Sequence, residues 1–81
     1  MIVEALRKCG VHVIHLSDLG KGIPDLLCWH RGRYLLLEVK APDGYPNKEQ
    51  QEFIARWPGE LHIVHSVDEA LTAVLGKDVM A

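Results

Sequence analysis

GIPDLLCWHRGRYLLLEVK, residues 22–40, decides how this chain folds. It reads as two apolar strands around Arg31-Gly32, each carrying one carboxylate, Asp25 and Glu38, among Leu, Trp, Tyr and Val. If Arg31 and Gly32 are the loop, His30 pairs with Arg33 and facing residues have numbers adding to 63. A four-residue loop from His30 to Arg33 keeps that register, whereas a three-residue loop without a compensating bulge shifts it by one. In the kept register Asp25 faces Glu38, and alternation puts Lys40 on the face of Glu38.

Such an arrangement is costly on its own. Two carboxylates roughly 5 Å apart repel by about 3 kcal/mol at an effective dielectric of about 20. A favourable cross-strand pair contributes only about 0.2–1 kcal/mol. Either one acid stays protonated or a cation lies between them. Lys40 offsets part of the repulsion. A hard divalent ion such as Mg²⁺, which takes carboxylate oxygens at about 2.0–2.1 Å and keeps several waters, would offset more. The pair therefore reads as a metal seat, with Lys40 beside it as a point charge for a scissile phosphate or its attacking water.

The elements on either side complete a fold. Ile2, Val3, Ala5, Leu6 and Cys9 stripe a first helix over residues 1–9, and Gly10 follows as its C-terminal cap. Val11–Leu16 reads as a strand, and SDLGKG, residues 17–22, as a flexible polar loop. After the hairpin and the loop APDGYP, Asn47 offers an N-cap with Gln50 three positions on. Phe53, Ile54 and Trp57 then make an apolar helix face that ends at Pro58-Gly59. Leu61–His65 is a short strand. Ser66 with Glu69 reads as a capping box, and Val67, Ala70, Leu71, Val74 and Leu75 stripe a last helix stopped at Gly76. The order is αβββαβα, an α/β fold with a mixed sheet flanked by helices, in one domain over residues 1–81.

Composition bounds the function. A chain of 81 residues buries only about 60–65% of its unfolded surface, and a partner subunit would help it. Nine Lys+Arg against eleven Asp+Glu give a formal charge of −2, so contact with phosphate must be local or carried by a metal ion. Cys9 and Cys28 form no CxxC and read as buried thiols in a reducing compartment. No export signal or long apolar run points to a membrane, and a cytoplasmic location is expected.

Pro24-Asp25, twelve intervening residues and Glu38-Val39-Lys40 resemble the PD-(D/E)xK nuclease signature. More narrowly, Gly22-Ile23-Pro24-Asp25-Leu26-Leu27, Glu38-Val39-Lys40 and Asn47-Lys48-Glu49-Gln50 resemble the VRR-NUC family, the virus-type replication-repair nuclease domain in its small stand-alone, phage-like form. The resemblance covers nearly the whole chain. It implies a restriction-endonuclease-like core and Mg²⁺- or Mn²⁺-dependent hydrolysis of DNA at branched or four-way-junction structures, in a bacterial or phage-infected cell. It further implies that Asp25, Glu38 and the Val39 carbonyl are metal ligands and that Lys40 is the catalytic lysine. Gln50 would match the glutamine of the helix after the third strand, and Glu4 the glutamate of the first helix. Asn47 stands where the family usually has Ser or Thr, a cap of the same kind. No organic cofactor is implied.

Blander readings stand beside these. The charged trio could be the solvated end of a hairpin, although Leu35-Leu36-Leu37 argues for a strand buried on both sides. Gln50 could be a capping glutamine only, Glu4 a solvated helix residue, and Pro24 the start of an edge strand. His12, His15, His30, His62 and His65 show no zinc spacing. Trp29 and Trp57 read as core or interface. Lys21, Arg31, Arg33, Lys48 and Arg56 are candidate phosphate contacts, and the glycines of SDLGKG would let that loop approach a phosphate backbone. A helix or Trp57 would supply the face of an expected homodimer. A module that binds branched DNA without cutting, and a metal-dependent hydrolase of RNA or free nucleotides, are the alternatives; no motif that reads bases or the 2′-hydroxyl separates DNA from RNA.

Overall fold

The structure, a computed structural model, describes residues 1–76. Helix α1 (Ile2–Lys8) leads to strand β1 (His12–His15), a 3₁₀ turn (Ser17–Leu19), and the hairpin of β2 (Leu26–His30) and β3 (Arg33–Val39). Then come α2 (Lys48–Arg56), β4 (Leu61–Val64) and α3 (Val67–Leu75). The order is the expected one, with the turn at 17–19 added where only a loop was expected. Gly10, at φ 83, follows the end of α1 as the sequence indicates.

The sheet is mixed, in the order β1-β2-β3-β4. β1 and β2 are antiparallel, as are β2 and β3, while β4 lies parallel to β3 across the α2 crossover. In the hairpin His30 pairs with Arg33 and Leu26 with Leu37, the register read from the sequence. Arg31 and Gly32 lie at φ 50 and 80, the two positive angles that a type I′ turn requires. An arginine in the left-handed region is uncommon, and the right-handed twist of the flanking strands favours it here.

One sheet face carries Val13, Leu26, Cys28, Leu35, Leu37 and Val64, and α1 and α3 close over it with Leu6, Ala70 and Val74. Burial pushes the Cys28 thiol up to about 11. Cys9, expected to be buried, is exposed instead: it is the C-cap of α1, where the apolar stripe has already turned off the core. Leu36 points to the other face and is buried as well, so β3 is covered on both sides from Leu35 to Glu38, as the Leu triplet implies. The rest of that second face is open, with Ile14 and Tyr34 58% and 68% exposed.

Helix α2 ends at Arg56, one residue short of the apolar stripe read from the sequence. Its apolar residues do not enter the core: Phe53 and Ile54 are only half-buried, and Trp57 lies beyond the helix end, stacked on Phe53 at 5.3 Å between ring centres. Trp29 sits edge-on to His12 and is also outside the core. Helix α2 is tied to the sheet by Gln50 and by Gly22. At φ 82, Gly22 comes so close to the Glu49 carbonyl that an added Cβ would lie 2.9 Å from its oxygen. That glycine thus serves a close approach within the fold, a use the phosphate reading of the loop did not foresee. Among the described residues no helix is long and apolar enough to cross a membrane.

Candidate functional site

The site lies where β2 and β3 part. The last cross-strand pair, Leu26 with Leu37, leaves Asp25 and Glu38 as the next facing positions. Leu16 N–H donates to the Asp25 carbonyl at 2.8 Å, which fixes the Asp25 backbone against β1. Along β3, the amides of Leu36 and Lys40 turn toward the β4 side, to Glu60 and Val64. Val39 N–H therefore faces the β2 side, where Pro24 is its would-be neighbour, and it donates to Asp25 Oδ2 at 2.8 Å. The Asp25 carboxylate replaces strand backbone at the hairpin end. Because N–H and C=O of a strand residue point the same way, the Val39 carbonyl shares that side.

Glu38 is 2% exposed, the one buried charged residue of the core region among the described residues. Its Oε2 accepts from Gln50 Nε2 at 2.6 Å and lies 3.2 Å from Lys40 Nζ. Its Oε1 is buried without a hydrogen-bond partner. Burial first, and then the charge of Asp25, raise the Glu38 pKa above the usual carboxylate range. Lys40 opposes them, and the nearby Asp25 backbone adds a smaller favourable pull without closing a hydrogen bond to Oε1. The Lys40–Glu38 pair is what the blander reading, Lys40 pairing one acid in solvent, also expects; the burial of Glu38 and its unpartnered Oε1 are what a solvated hairpin end would not show.

Gln50 holds two positions at once. Its Oε1 accepts from Asn47 N–H at 2.9 Å and its backbone N–H donates to Asn47 Oδ1 at 2.9 Å, a capping box, while Nε2 reaches Glu38. The capping reading of this residue holds, and the same side chain also bonds Glu38. Glu4 lies apart. It is 79% exposed and 3.4 Å from the N-terminal ammonium, with no contact to Asp25 or Glu38 among its described bonds.

An open pocket of about 380 Å³ borders Asp25 and Val39, walled by the first turn of α1 together with His15 and Ser17. Sequence reasoning weighed His15 only as a zinc ligand and Ser17 only as part of the SDLGKG loop, and put neither beside Asp25. His15 pairs with Leu26, so the register of β1 on β2 was the missing signal. Among the proposed phosphate contacts, Arg33 is already committed: Nε and Nη2 grip Glu60, and Nη1 and Nη2 reach the carbonyls of Val74 and Ala73 at 2.9 and 3.1 Å. Lys21 and Arg56 share a pocket with Phe53 and Trp57.

The donor set can be tested against a divalent ion. No group of three or more His, Cys, Asp or Glu side chains placed to hold a metal occurs among the described residues. Mg²⁺, however, keeps several waters and is commonly held by one or two carboxylates. Two acids at facing positions, one with a buried oxygen lacking any donor, and the Val39 carbonyl on the Asp25 side are donors of the kind such an ion takes. No family model, curated protein or solved structure matches this chain.

Proposed function

We propose that this chain is a Mg²⁺- or Mn²⁺-dependent nuclease of the PD-(D/E)xK type, close to the VRR-NUC family, that hydrolyses phosphodiester bonds in branched or otherwise structured DNA. The observation that carries the reading is Glu38: a buried carboxylate facing a second acid, with Lys40 and Gln50 on Oε2 and nothing on Oε1. A purely structural pair would gain by losing one charge, since a buried, unpaired carboxylate oxygen costs stability.

Asp25 and Glu38, with the Val39 carbonyl, would hold the ion. When bound, it would polarise the scissile phosphate and make a nearby water easier to deprotonate. Lys40, beside Glu38, would offset charge that develops on the phosphate oxygens as the attacking oxygen adds and the leaving oxygen departs. Gln50 and Lys40 occupy Oε2, which leaves the buried Oε1 as the Glu38 oxygen that would meet the ion. Lys21 and Arg56, whose pocket also holds Glu49 and Glu52, would with Arg31 and Lys48 be the remaining candidates to meet a neighbouring phosphate. A homodimer would cover the open sheet face around Ile14, Trp29 and Tyr34 and present two sites for symmetric cleavage. Sedimentation as a monomer at micromolar concentration would remove that part.

Cleavage of labelled linear, flapped and four-way-junction DNA, and of matched RNA, with Mg²⁺, Mn²⁺ or EDTA tests the reading. Metal-dependent cutting of DNA that Lys40→Ala loses by about 10²–10³-fold supports it, the loss expected when one transition-state donor is removed. Cutting confined to RNA would favour the RNA hydrolase, and binding of junctions without cutting under any metal would favour the non-catalytic module.

A further inference from the structure

The Ser66 capping box is only half formed. Glu69 N–H donates to Ser66 Oγ at 3.1 Å, but the Glu69 side chain reaches one residue further back. Its Oε1 accepts from His65 N–H at 2.9 Å and lies 3.0 Å from His65 Nδ1. The other ring nitrogen, Nε2, lies 3.2 Å from the Gly44 carbonyl. A carboxylate and a carbonyl only accept, so each ring nitrogen must carry a proton to make its bond. The imidazolium makes both; neutral His65 keeps its one proton on Nδ1 for the charged acceptor Glu69, the stronger of the two, and gives up the bond to the Gly44 carbonyl.

Gly44 sits at a sensitive place. It closes a turn back to Ala41, N–H to carbonyl at 2.8 Å. A Cβ on it would meet Ala41 backbone at 3.3 Å and Lys40 Cβ at 3.4 Å, so the turn packs against the base of the Lys40 side chain. The same segment runs on to Asn47, whose capping partner Gln50 holds Glu38.

We propose that His65 is a protonation-operated latch: charged, it bridges Glu69 on α3 and Gly44, pinning the turn at residues 41–44 against Lys40; neutral, it lets that turn loosen. Glu69 and then the Gly44 carbonyl hold the His65 pKa above the usual histidine value. Of the other ionisable groups on the surrounding elements, Asp68 of α3, Asp43 of the turn and Lys40 at the end of β3, none adds to the pull of Glu69. A histidine with a raised folded pKa contributes its stability below the unfolded value, and that contribution fades as pH rises through the folded one. The turn is thus tight in mild acid and loose in mild base.

The test needs no nucleic acid, so it stands apart from the nuclease reading. Nuclear magnetic resonance would follow the His65 ring and the exchange protection of the Gly44 amide between about pH 5.5 and 8.5, the range in which histidines titrate. Protection corrected for intrinsic exchange should be lost with the His65 titration in the wild type and show no such step in His65→Ala. Glu69→Gln, a change at a half-exposed position, should move the His65 midpoint and the loss of protection to lower pH together. Protection that is flat across the range, an equal step in His65→Ala, or a midpoint that moves without the protection would overturn the latch.

Discussion

Gln50 donates to Glu38 at 2.6 Å with the same side chain that accepts from the N-cap backbone of its own helix. Helix initiation and the polarity of the site are therefore one interaction network. Gln50→Ala should cost about 2 kcal/mol in urea unfolding, since a bond to a charged group is worth roughly 1.5–3 kcal/mol and half the cap goes with it. Gln50→Glu keeps the capping oxygen but sets a carboxylate against Glu38, so its penalty should be larger at pH 7 than at pH 4. Equal penalties at the two pH values would show that the side chain does not bear on Glu38.

Glu38 has a raised pKa, and for an acid this means that the folded state prefers the proton. Its favourable contribution is present below the unfolded pKa and lost as pH rises through the folded one. Glu38→Gln should accordingly raise the thermal midpoint at pH 7 and do so less near pH 4; in a domain of this size each 1 kcal/mol moves it by roughly 4–8 °C. Saturating Mg²⁺ should reverse the ranking at pH 7, because an ion at about 100 times its Kd stabilises the wild type by about 2.7 kcal/mol and the variant has lost its seat. Calorimetric scans with and without the ion decide both points.

Gly22 and Gly20 make a matched pair of controls. Both have positive φ, 82 and 127, yet only Gly22 has a backbone oxygen where a Cβ would go. Gly22→Ala should destabilise by about 1–3 kcal/mol beyond Gly20→Ala, and displace α2 enough to weaken the Gln50–Glu38 bond. Chemical denaturation of the two variants, with the Gln50 side-chain amide resonance as a local probe, measures this.

Arg33 should behave as a structural residue and not as a phosphate contact. Arg33→Lys keeps the charge but loses the fork on Glu60 and at least one α3 carbonyl, and should cost about 1–2 kcal/mol. Affinity for DNA, corrected for the unfolded fraction, should stay within about twofold, whereas a phosphate contact would also flatten the salt dependence by about one ion.

Much of the fold was legible because the hairpin carries its own ruler: a turn that accepts positive φ, then alternation, fixes every facing pair through to Asp25 and Glu38. Capping residues Asn47 and Ser66 likewise located their helices. What escaped were choices made between distant elements. The spacing of residues 17–22 shows glycines but not that one of them meets Glu49. Arg33 looks like any exposed cation until β4 and α3 arrive beside it. The stripe Phe53, Ile54 and Trp57 is a sound helical pattern, yet periodicity does not say whether the second sheet face is covered by this chain. Within the site, Asp25, Glu38 and Lys40 could be brought together from register alone, and Gln50 could not, because its reach depends on where the crossover sets α2.

That crossover also sets a timetable. Entropy of closure grows with loop length, so the β2–β3 hairpin, closed by Arg31-Gly32, is the inexpensive pairing, and β3 with β4, which must close the segment between Val39 and Leu61, is the expensive one. If the hairpin forms first, the two acids meet before Gln50 and the turn against Lys40 are in place. Their repulsion would then raise the folding barrier, and a divalent ion able to bridge them should speed refolding, which stopped-flow measurements with and without Mg²⁺ would read.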